Sequence, residues 1–452
     1  MASSLSRRRF LQMSGFVTAA GVLAACAAPV AAPQGSGGEA AAPSGGKVHL
    51  KWDTFRGPGT GWNEERIESF VKDHPNIEIE FRPLTGATQQ DNYGKMYAQF
   101  AAGDLGDICA FDPSHFHFWR AINGNIIGPI DDLVAADNTD LKQWFDQFME
   151  LQRYQGQLFG LPSWGWAGFD SFVINAVHFE EAGIELPDPT GHDTSMATYA
   201  EWAHQLHQEG SDRFSLNLTW GEAGLVTLCR AFNGDLINEE GTKSLLLDDA
   251  GSQEGLRWAY KLSVEDKILP AQASFENIDS AVAEGKVSMN WAGSLNVRNV
   301  KRAIQDETVA KAHQGLLPTD KNGKFPSQIR GGTWNILKQS AHPTEAFEFI
   351  KHITNTEGSF SFNLVAGQGA FVRPDVVDLL IKEDPVHEWF IPNLENGIKA
   401  HAPANSRGRE YTDAVTQWMT LMMDPNQPVP FEQGLEDLHT NIQMVLDMPA
   451  AA

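Results

Sequence analysis

Five tryptophans of this sequence lie close to glycine or serine, where predicted strands end or where the chain crosses between predicted elements. They are Trp164, Trp166, Trp220, Trp291 and Trp334. Ligands of open α/β sheets bind outside the carboxyl ends of the strands, and an indole ring there offers a flat surface to the apolar face of a ligand. The competing interpretation is that each ring fills a gap against the backbone. These five residues are therefore the aromatic candidates for a binding site.

Charged side chains occur at comparable positions. Asp112 follows the predicted strand Ile108–Phe111, and its carboxylate could accept hydrogen bonds from a ligand or cap the next loop. Arg330 precedes Gly331 and Gly332, where the missing side chains allow a ligand to approach closely. Hydrogen bonds that involve an ionised group are about twice as strong as neutral ones. Together with the indole rings, these residues are the candidates for a ligand-binding site.

Motifs of catalytic and metal sites are scarce. The sequence has no Gly-x-Ser-x-Gly elbow, no Walker A loop and no His-Glu-x-x-His box. His115 and His117 lack further ligands at suitable spacing, so we predict neither a metal nor a cofactor. Adjacent carboxylates, such as Asp131 and Asp132, are expected by chance among 58 acidic residues, and we interpret them as surface charge. The alternative interpretation is that such a pair is catalytic, since enzymes that cleave glycans use two carboxyl groups.

Strand and helix patterns alternate along the chain. Residues 48–52 and 77–81 alternate between apolar and polar types, as strands do. Residues 67–74 and 93–101 carry apolar side chains at helical spacing, and the same alternation returns between residues 214 and 353. Because this order is typical of a mainly parallel sheet covered by helices, we predict an α/β fold.

Length and charge limit the number of domains and the class of partner that the protein can have. The chain has 452 residues, of which 42% are hydrophobic, so it can form one large domain or two of ordinary size. The 34 Lys and Arg residues against 58 Asp and Glu residues give a net charge of −24. A surface this acidic repels phosphate backbones, and we predict no nucleic-acid partner.

Residues 1–25 have the pattern of an export signal. Three arginines at positions 7–9 precede an apolar run, residues 16–25, which is shorter than the ~20 residues of a membrane span. The arginines followed by Phe-Leu resemble a twin-arginine signal, and Leu-Ala-Ala-Cys resembles a lipobox that ends at Cys26. A buried cytosolic helix is the alternative. We predict lipidation of Cys26, a flexible tether over residues 26–46, and a membrane-anchored protein in the periplasm or at the cell surface.

The two remaining cysteines, Cys109 and Cys229, lie in apolar runs. A secreted fold of this size does not need a disulfide, so we predict two buried free thiols, with a disulfide as the alternative. A twin-arginine exporter carries folded proteins out of a reducing cytoplasm, which agrees with a fold that has no disulfide.

Six short segments, in order along residues 47–376, resemble motifs of the extracellular sugar-binding proteins of ABC importers (solute-binding protein family 1). The segments are Ala102–Ile108, Asn125–Val134, Gly156–Pro162, Val173–Ile184, Ala281–Met289, and Gly331–Gly332 followed by Pro343–Ile353. The first reads Ala-Gly-Asp-Leu-Gly-Asp-Ile, with Gly106 where the family usually has proline. The resemblance depends on the order of the segments and on the lipoprotein-type signal that precedes them.

The resemblance implies a two-lobed α/β fold, like that of periplasmic binding proteins, with a ligand cleft between discontinuous lobes. The N-terminal lobe would combine residues 47–162 with 318–363, and the C-terminal lobe would combine residues 163–317 with 364–452. A few hinge residues would absorb the closure of the cleft. The implied function is that of a non-enzymatic, monomeric ABC-transporter component, which captures a mono- or oligosaccharide and delivers it to the permease subunits. The alternative is a lipid-anchored glycan hydrolase outside the cytoplasm.

The resemblance also implies site residues. Trp220 and Trp291 occupy positions that match aromatic platforms of the family. Asp53 and Arg56 end the first predicted strand, where the family often places ligand contacts. Arg407 lies where the C-terminal segment of the family returns to the cleft, although a surface ion pair is the competing interpretation.

Overall fold

The computed structural model describes most of the chain between residues 46 and 450. The described residues are 46–113, 116–168, 171–187, 195–218, 221–270, 275, 277–292, 294–316, 328–367, 369, 371–391, 394, 397–399, 401–426 and 429–450. The segment Lys47–Ala452 forms one compact unit. The predicted export signal, Cys26 and almost the whole predicted tether lie outside the described residues.

The strands of the described residues form two larger sheets and one short hairpin. The strands are β1 (Val48–Thr54), β2 (Ile77–Pro83), β3 (Ile108–Cys109), β4 (Arg153–Tyr154), β5 (Gln157–Leu158), β6 (Leu161–Gly168), β7 (Ser171–Asn175), β8 (Phe214–Asn217), β9 (Val287–Ala292), β10 (Ala312–Leu316), β11 (Gln328–Ile336) and β12 (Ile398–Lys399). The hairpin pairs β4 with β5.

Helices separate most of these strands. They are α1 (Trp62–Asp73), α2 (Gln89–Ala101), α3 (Phe116–Asn123), α4 (Asp131–Asp137), α5 (Asp146–Leu151), α6 (Ala176–Ala182), α7 (Met196–Leu206), α8 (Glu222–Ala231), α9 (Ala250–Tyr260), α10 (Ile278–Ala283), α11 (Ser294–Ala303), α12 (Pro343–Ile353), α13 (Thr356–Leu364), α14 (Pro374–Glu383), α15 (Gly408–Met422) and α16 (Phe431–Leu446). Several begin at a side chain that accepts a backbone N–H, such as Asn175 before α6 and Ser195 before α7. Within the described residues, no helix is both long and apolar enough to cross a lipid bilayer.

The first sheet has six strands, in the order β12-β11-β3-β1-β2, with β6 also paired to β11. β1 runs parallel to β2 and β3, whereas β11 runs antiparallel to β3 and β6. The sheet therefore combines the first strands of the chain with β11, which follows more than 200 residues later in sequence. We call the part of the molecule built on this sheet the first lobe.

The second sheet has four strands, in the order β10-β7-β9-β8. β8 is parallel to β9, and β7 is antiparallel to both of its neighbours. Helices α15 and α16, from the end of the chain, pack against its hydrophobic core through residues such as Val415, Met419 and Leu438. We call this part the second lobe.

Three parts of the chain depart from the predicted lobe boundaries, and one of them is β12, which pairs with β11 although it was expected in the C-terminal lobe. Helix α14 was expected in the C-terminal lobe, yet Val376, Val377 and Leu380 pack in the core of the first lobe with Trp52. The chain also stays in the first sheet up to Gly168, because β6 pairs with β11 along its length. An amphipathic helix pattern does not specify which of two apolar cores covers its buried face.

Cys109 and Cys229 are both buried and free, as the sequence predicts. Burial raises the pKa of both thiols. Because the thiolate is the reactive form of cysteine, both side chains behave as small apolar core residues.

Candidate functional site

A cavity of about 360 Å³ lies between the two lobes, and we call it the main cavity. The first lobe contributes Gln90, Pro113, Trp119 and Arg330 to its wall, among others. The second lobe contributes residues at the start of α8 and from α15, which include Gly221, Glu222, Arg409, Tyr411, Thr412, Asp413 and Thr416. The wall is completed by Lys399, His401, Ala402 and Pro403. A ligand in this cavity would therefore contact both lobes at once.

Three of the predicted site residues meet beside the main cavity, in the first lobe. Asp112 is fully buried directly before Pro113, and its Oδ2 forms an ion pair with Arg56. The guanidinium of Arg56 lies over the ring of Trp164, 4.6 Å from its centroid. A cation over an indole face is attracted by the ring electrons. We call Arg56, Asp112 and Trp164 the first-lobe cluster.

The first-lobe cluster retains unused hydrogen-bonding capacity. Asp112 Oδ1 and Trp164 Nε1 are both buried, and neither has a hydrogen-bond partner among the described residues. A Cβ atom at Gly332 would lie only 1.9 Å from Trp164 Nε1 and 2.5 Å from Asp112 Oδ1. Glycine is thus required at position 332 for these two side chains to pack there. One buried acceptor and one buried donor at this place therefore have no described partner.

The pairing of β6 with β11 explains how two further predicted residues reach the same face of the sheet. Trp164 lies opposite Gly332 and Trp166 lies opposite Arg330, and paired residues of antiparallel strands share a face. The rings of Trp164 and Trp166 pack edge to face with their centroids 5.7 Å apart. Arg330, but neither indole, lines the main cavity.

Arg330 also connects the two lobes. Its Nη2 lies 2.8 Å from Oε2 of Glu222, at the start of α8 in the second lobe. Only 15% of the Arg330 side chain and 13% of the Glu222 side chain are exposed. A pair this shielded from water is screened less by salt than a surface ion pair, and it joins the two lobes directly.

Tyr411 supplies a second unused polar group. It begins the second turn of α15, only 2% of its surface is exposed, and it lines the main cavity. Its hydroxyl has no hydrogen-bond partner among the described residues. Burial raises its pKa well above the ordinary value, and the hydroxyl therefore stays protonated and available as a donor.

The predicted candidate Arg407 lies elsewhere. Its Nε donates to the carbonyl oxygen of Pro449 at 2.7 Å, and its Nη1 pairs with Glu410 at 2.8 Å. Arg409, two positions further on, lines the main cavity instead. Its Nε lies 3.6 Å from Oδ2 of Asp413. Position 407 immediately precedes α15, and one or two positions along a helix change which face a side chain occupies.

Trp119 is a cavity residue that sequence reasoning missed. It lies on α3, lines the main cavity and is partly exposed. Next to it in sequence, Phe118 is fully buried and packs against Phe159. Two adjacent residues on a helix point in different directions, so Phe118 and Trp119 cannot both face the core. This spacing could have indicated that one of the two rings lies outside the core.

Strand β12 and the nearby His401 contact both lobes. Strand β12 pairs with β11 of the first lobe, while Arg230 of α8 donates to the carbonyl oxygens of Ile398 and Lys399 at 3.2 and 3.1 Å. His401 contacts the carbonyl oxygen of Ile237 in the second lobe at 3.1 Å. Partial burial lowers the pKa of Lys399, which lines the main cavity. The wall of the cavity is thus fixed from both sides.

Three other predicted candidates lie in hydrophobic cores or in internal ion pairs. Asp53 is fully buried and bonds to Arg82 and to the backbone N–H of Gly106, at 2.8 and 2.6 Å. Burial, the largest cause, raises the pKa of Asp53 although Arg82 opposes this effect. Trp334 packs against Trp52 in the first lobe, and Trp291 stacks on Phe172 in the second. These positions give packing and internal pairing, rather than contact with a ligand in the main cavity.

The last aromatic candidate, Trp220, lies outside the described residues, as does His115. His117 binds Gln90 and Tyr97 through its two ring nitrogens, at 2.7 and 3.0 Å. Within the described part of the chain, no group of three His, Cys, Asp or Glu side chains is arranged to hold a metal ion.

Comparison with known proteins identifies the family. A family model described as bacterial extracellular solute-binding protein matches residues 53–359. The chain belongs to this family. The fold of this solute-binding protein is also found in solved structures, at TM-scores of 0.72 to 0.74 for the three described below.

An ABC substrate-binding protein from Listeria monocytogenes, in complex with cycloalternan, has a TM-score of 0.74 at 16% identity, and the alignment covers 88% of this chain and 99% of that one. The sugar-binding protein MalE from Xanthomonas citri has a TM-score of 0.73 at 16% identity, with 88% and 97% covered. UgpB from Mycobacterium tuberculosis, in complex with glycerophosphocholine, has a TM-score of 0.72 at 16% identity, with 89% and 99% covered.

These likenesses confirm the predicted two-lobed α/β fold. Membership of an extracellular solute-binding family also places this solute-binding protein outside the cytoplasm and among binding proteins.

Proposed function

We propose that this solute-binding protein captures a mono- or oligosaccharide in the main cavity and delivers it to the permease of an ABC importer. The observation that carries the proposal is the composition of the cavity wall. It joins an accessible indole, Trp119, to a buried hydroxyl without a partner, Tyr411, and the two belong to different lobes. The solved structures that contain cycloalternan or are described as sugar-binding support the same ligand class.

Sugar chemistry matches these groups. A sugar ring has apolar C–H patches on its faces, which stack on indoles, and hydroxyls at its edge, which need hydrogen-bond partners. When the lobes close, each hydroxyl that is left unmatched costs about 1–3 kcal/mol, so the pattern of donors and acceptors selects the ligand. We propose Trp119, Arg330 and Tyr411 as direct contacts, since all three line the cavity.

The first-lobe cluster is proposed as the polar end of the same site. Asp112 Oδ1 would accept from a sugar hydroxyl, and Trp164 Nε1 would donate to one, because both atoms lack another described partner. Arg56 would hold the Asp112 carboxylate in place through their ion pair. Trp166 is proposed to support Trp164, and Trp220, next to the cavity residue Gly221, remains a predicted contact.

Delivery requires that the protein stay near its permease. We propose that Cys26 is lipidated after export by a twin-arginine signal, and that residues 26–46 tether a monomeric binding unit to the membrane. The sequence supports this through the arginines at 7–9 and the Leu-Ala-Ala-Cys segment. More than one acyl chain on Cys26 would make the attachment stable.

A hydrolase is less well supported. Two carboxylates line the described wall of the main cavity, and both lie beside an arginine, Glu222 by Arg330 and Asp413 by Arg409. Glycoside cleavage uses two carboxyl groups that flank the scissile bond, whereas each of these carboxylates is engaged in an ion pair with an arginine. The arrangement therefore favours binding over cleavage.

A thermal-shift panel tests the proposal. Purified residues 47–452 would be screened against common mono- and oligosaccharides, with amino acids, polyamines and glycerophosphocholine as competing classes. A ligand at 100-fold excess over Kd should stabilise the folded protein by about 2.7 kcal/mol. Shifts by saccharides alone support the proposal, whereas shifts only by another class would overturn it. Chromatography of each bound oligosaccharide after incubation would reveal cleavage, which would favour the hydrolase.

A further inference from the structure

The charge of the main cavity differs in sign from that of the whole chain, which has a net charge of −24. Besides His401, the described charged residues of the cavity wall are three cations and two carboxylates, namely Arg330, Lys399, Arg409, Glu222 and Asp413. Both carboxylates are used in ion pairs, Glu222 with Arg330 and Asp413 with Arg409. Lys399 is therefore the cation of the described wall that has no counterion.

The ammonium group of Lys399 lacks compensation from other carboxylates as well. Glu150 is near enough to oppose the effect of partial burial, which lowers the pKa of Lys399, but its own ion pair is with Arg153 at 3.3 Å. Glu239 lines an adjoining pocket together with Lys399, yet within the described residues it forms no ion pair with it. An ammonium group that has lost part of its water without gaining a counterion is stabilised by an anion.

Two helices begin at the wall of the same cavity. Helix α8 contributes residues 221–224, and α15 contributes Gly408 and Arg409. At neither helix does the N-cap side chain bond to the first backbone N–H groups. The acidic side chains of the two first turns, Glu222 and Glu410, are each paired with an arginine. Because the N-terminus of a helix carries about half a positive charge and free N–H groups, both starts attract an anion.

The buried hydroxyl of Tyr411 independently indicates that a ligand group lies at this place. Only 2% of Tyr411 is exposed, it lines the main cavity, and its hydroxyl has no hydrogen-bond partner among the described residues. Burial is the main cause of its raised pKa and Glu222 adds to it, so the hydroxyl lies near the starts of both α15 and α8. A protonated phenol needs an acceptor, and an anionic oxygen is a stronger acceptor than a neutral one.

We propose that the ligand of the main cavity is an acidic saccharide, whose anionic group is bound by Lys399 and by the starts of α8 and α15. This rests on the proposed function of the cavity and specifies the class of sugar. A neutral sugar leaves Lys399 without a counterion when the lobes close around it, whereas an acidic sugar supplies one. The charge comes from the carboxylate of a uronic acid or from a phosphate ester.

Calorimetry with matched neutral and acidic sugars tests the charge of the ligand. The probes are glucose, galactose and mannose, each beside its uronate and its 6-phosphate, and galactobiose and galactotriose beside di- and trigalacturonate. In the series that binds, we expect the Kd of an acidic member to be at least about tenfold lower than that of the neutral one. The Kd of the acidic member should also rise with added NaCl, because salt screens the attraction.

The outcomes of this comparison are distinct. The tighter of the uronate and the phosphate identifies the source of the charge. A neutral member that binds as tightly as both acidic members, or more tightly, would overturn the acidic ligand and leave the proposed function intact. Binding of no sugar in any series would overturn the proposed function, and the acidic ligand with it.

Variants of Lys399 give the second readout. Lys399→Gln should raise the Kd of the acidic sugar about tenfold and that of its neutral counterpart much less, while Lys399→Arg should keep the preference. The fold should persist, since the carbonyl oxygen of Lys399, and not its side chain, accepts from Arg230. Lys72→Gln is the matched control, because Lys72 is exposed on α1 outside the cavity and its loss changes the net charge equally.

Melting temperatures show whether each variant is folded. A folded Lys399→Gln that binds the acidic sugar as tightly as the unaltered protein would overturn the assignment of Lys399. Equal losses in Lys399→Gln and Lys72→Gln would overturn it too, because they would reflect the overall charge of the protein and not a contact in the cavity.

Discussion

Replacing Tyr411 by Phe should change stability and affinity in opposite directions. The aromatic ring of Tyr411 packs in the second-lobe core, with 2% of its surface exposed, and Phe preserves this packing. The hydroxyl is buried without a described partner, and a buried polar group in that state costs about 1–3 kcal/mol. Removing it should therefore leave the free energy of unfolding unchanged or increase it.

Binding should become weaker in the same variant. If the Tyr411 hydroxyl donates to a sugar hydroxyl, its loss removes a hydrogen bond of about 0.5–1.5 kcal/mol, which is about a two- to tenfold increase in Kd. Urea unfolding of the unliganded protein gives the first quantity, and calorimetry with the best saccharide of the panel gives the second. Tyr199→Phe is the control, because Tyr199 is buried against Phe172 away from the cavity and should not alter Kd. A Tyr411→Phe variant that is more than 1 kcal/mol less stable, with unchanged Kd, would show that the hydroxyl is structural.

Three further changes test other parts of the structure. Trp291→Ala should lower the free energy of unfolding by about 3–5 kcal/mol in urea titrations, and a stable variant with weak binding would contradict its place in the core. Glu222→Gln removes the ion pair with Arg330, so the unliganded protein should show a larger radius of gyration in X-ray scattering, while the saccharide complex should not. Burial lowers the pKa of His178 to about 4 from 6.5, and the unfolded chain therefore binds the proton first. Stability should fall by up to about 3 kcal/mol from pH 6.5 to pH 4, and His178→Gln should reduce this fall; equal pH profiles would refute the assignment.

Most of the fold follows from local patterns. The alternating residues at 48–52 and 77–81 correspond to β1 and β2, which pair in parallel with Leu50 beside Ile79. The pairing of β6 with β11 joins residues more than 150 positions apart, and no local pattern specifies such a partner. Helix α14 is a second element whose partner the local sequence does not specify, since its apolar face would suit the core of either lobe.

Some of the candidate site residues proposed from the sequence lie at or beside the main cavity and others lie in the core. The cause of this difference is geometric. Arg330, Gly332 and Trp334 occupy alternate positions of β11, and in a regular strand they would share one face. The register of β11 against β6 shifts between Gly332 and Thr333, and Trp334 packs in the core against Trp52. Such an irregularity depends on the partner strand and cannot be read from one segment. Arg56 and Asp112 could be proposed from their places at strand ends, whereas their contact depends on the assembled sheet.

The double attachment of β12 has a mechanical consequence. Hydrogen bonds from β11 hold this two-residue strand on one side, and Arg230 holds it on the other. When the lobes separate, β12 can keep only one of these two sets of hydrogen bonds without distortion. Lys399 would then travel with the lobe that retains the strand, and opening would cost the free energy of the set that is lost.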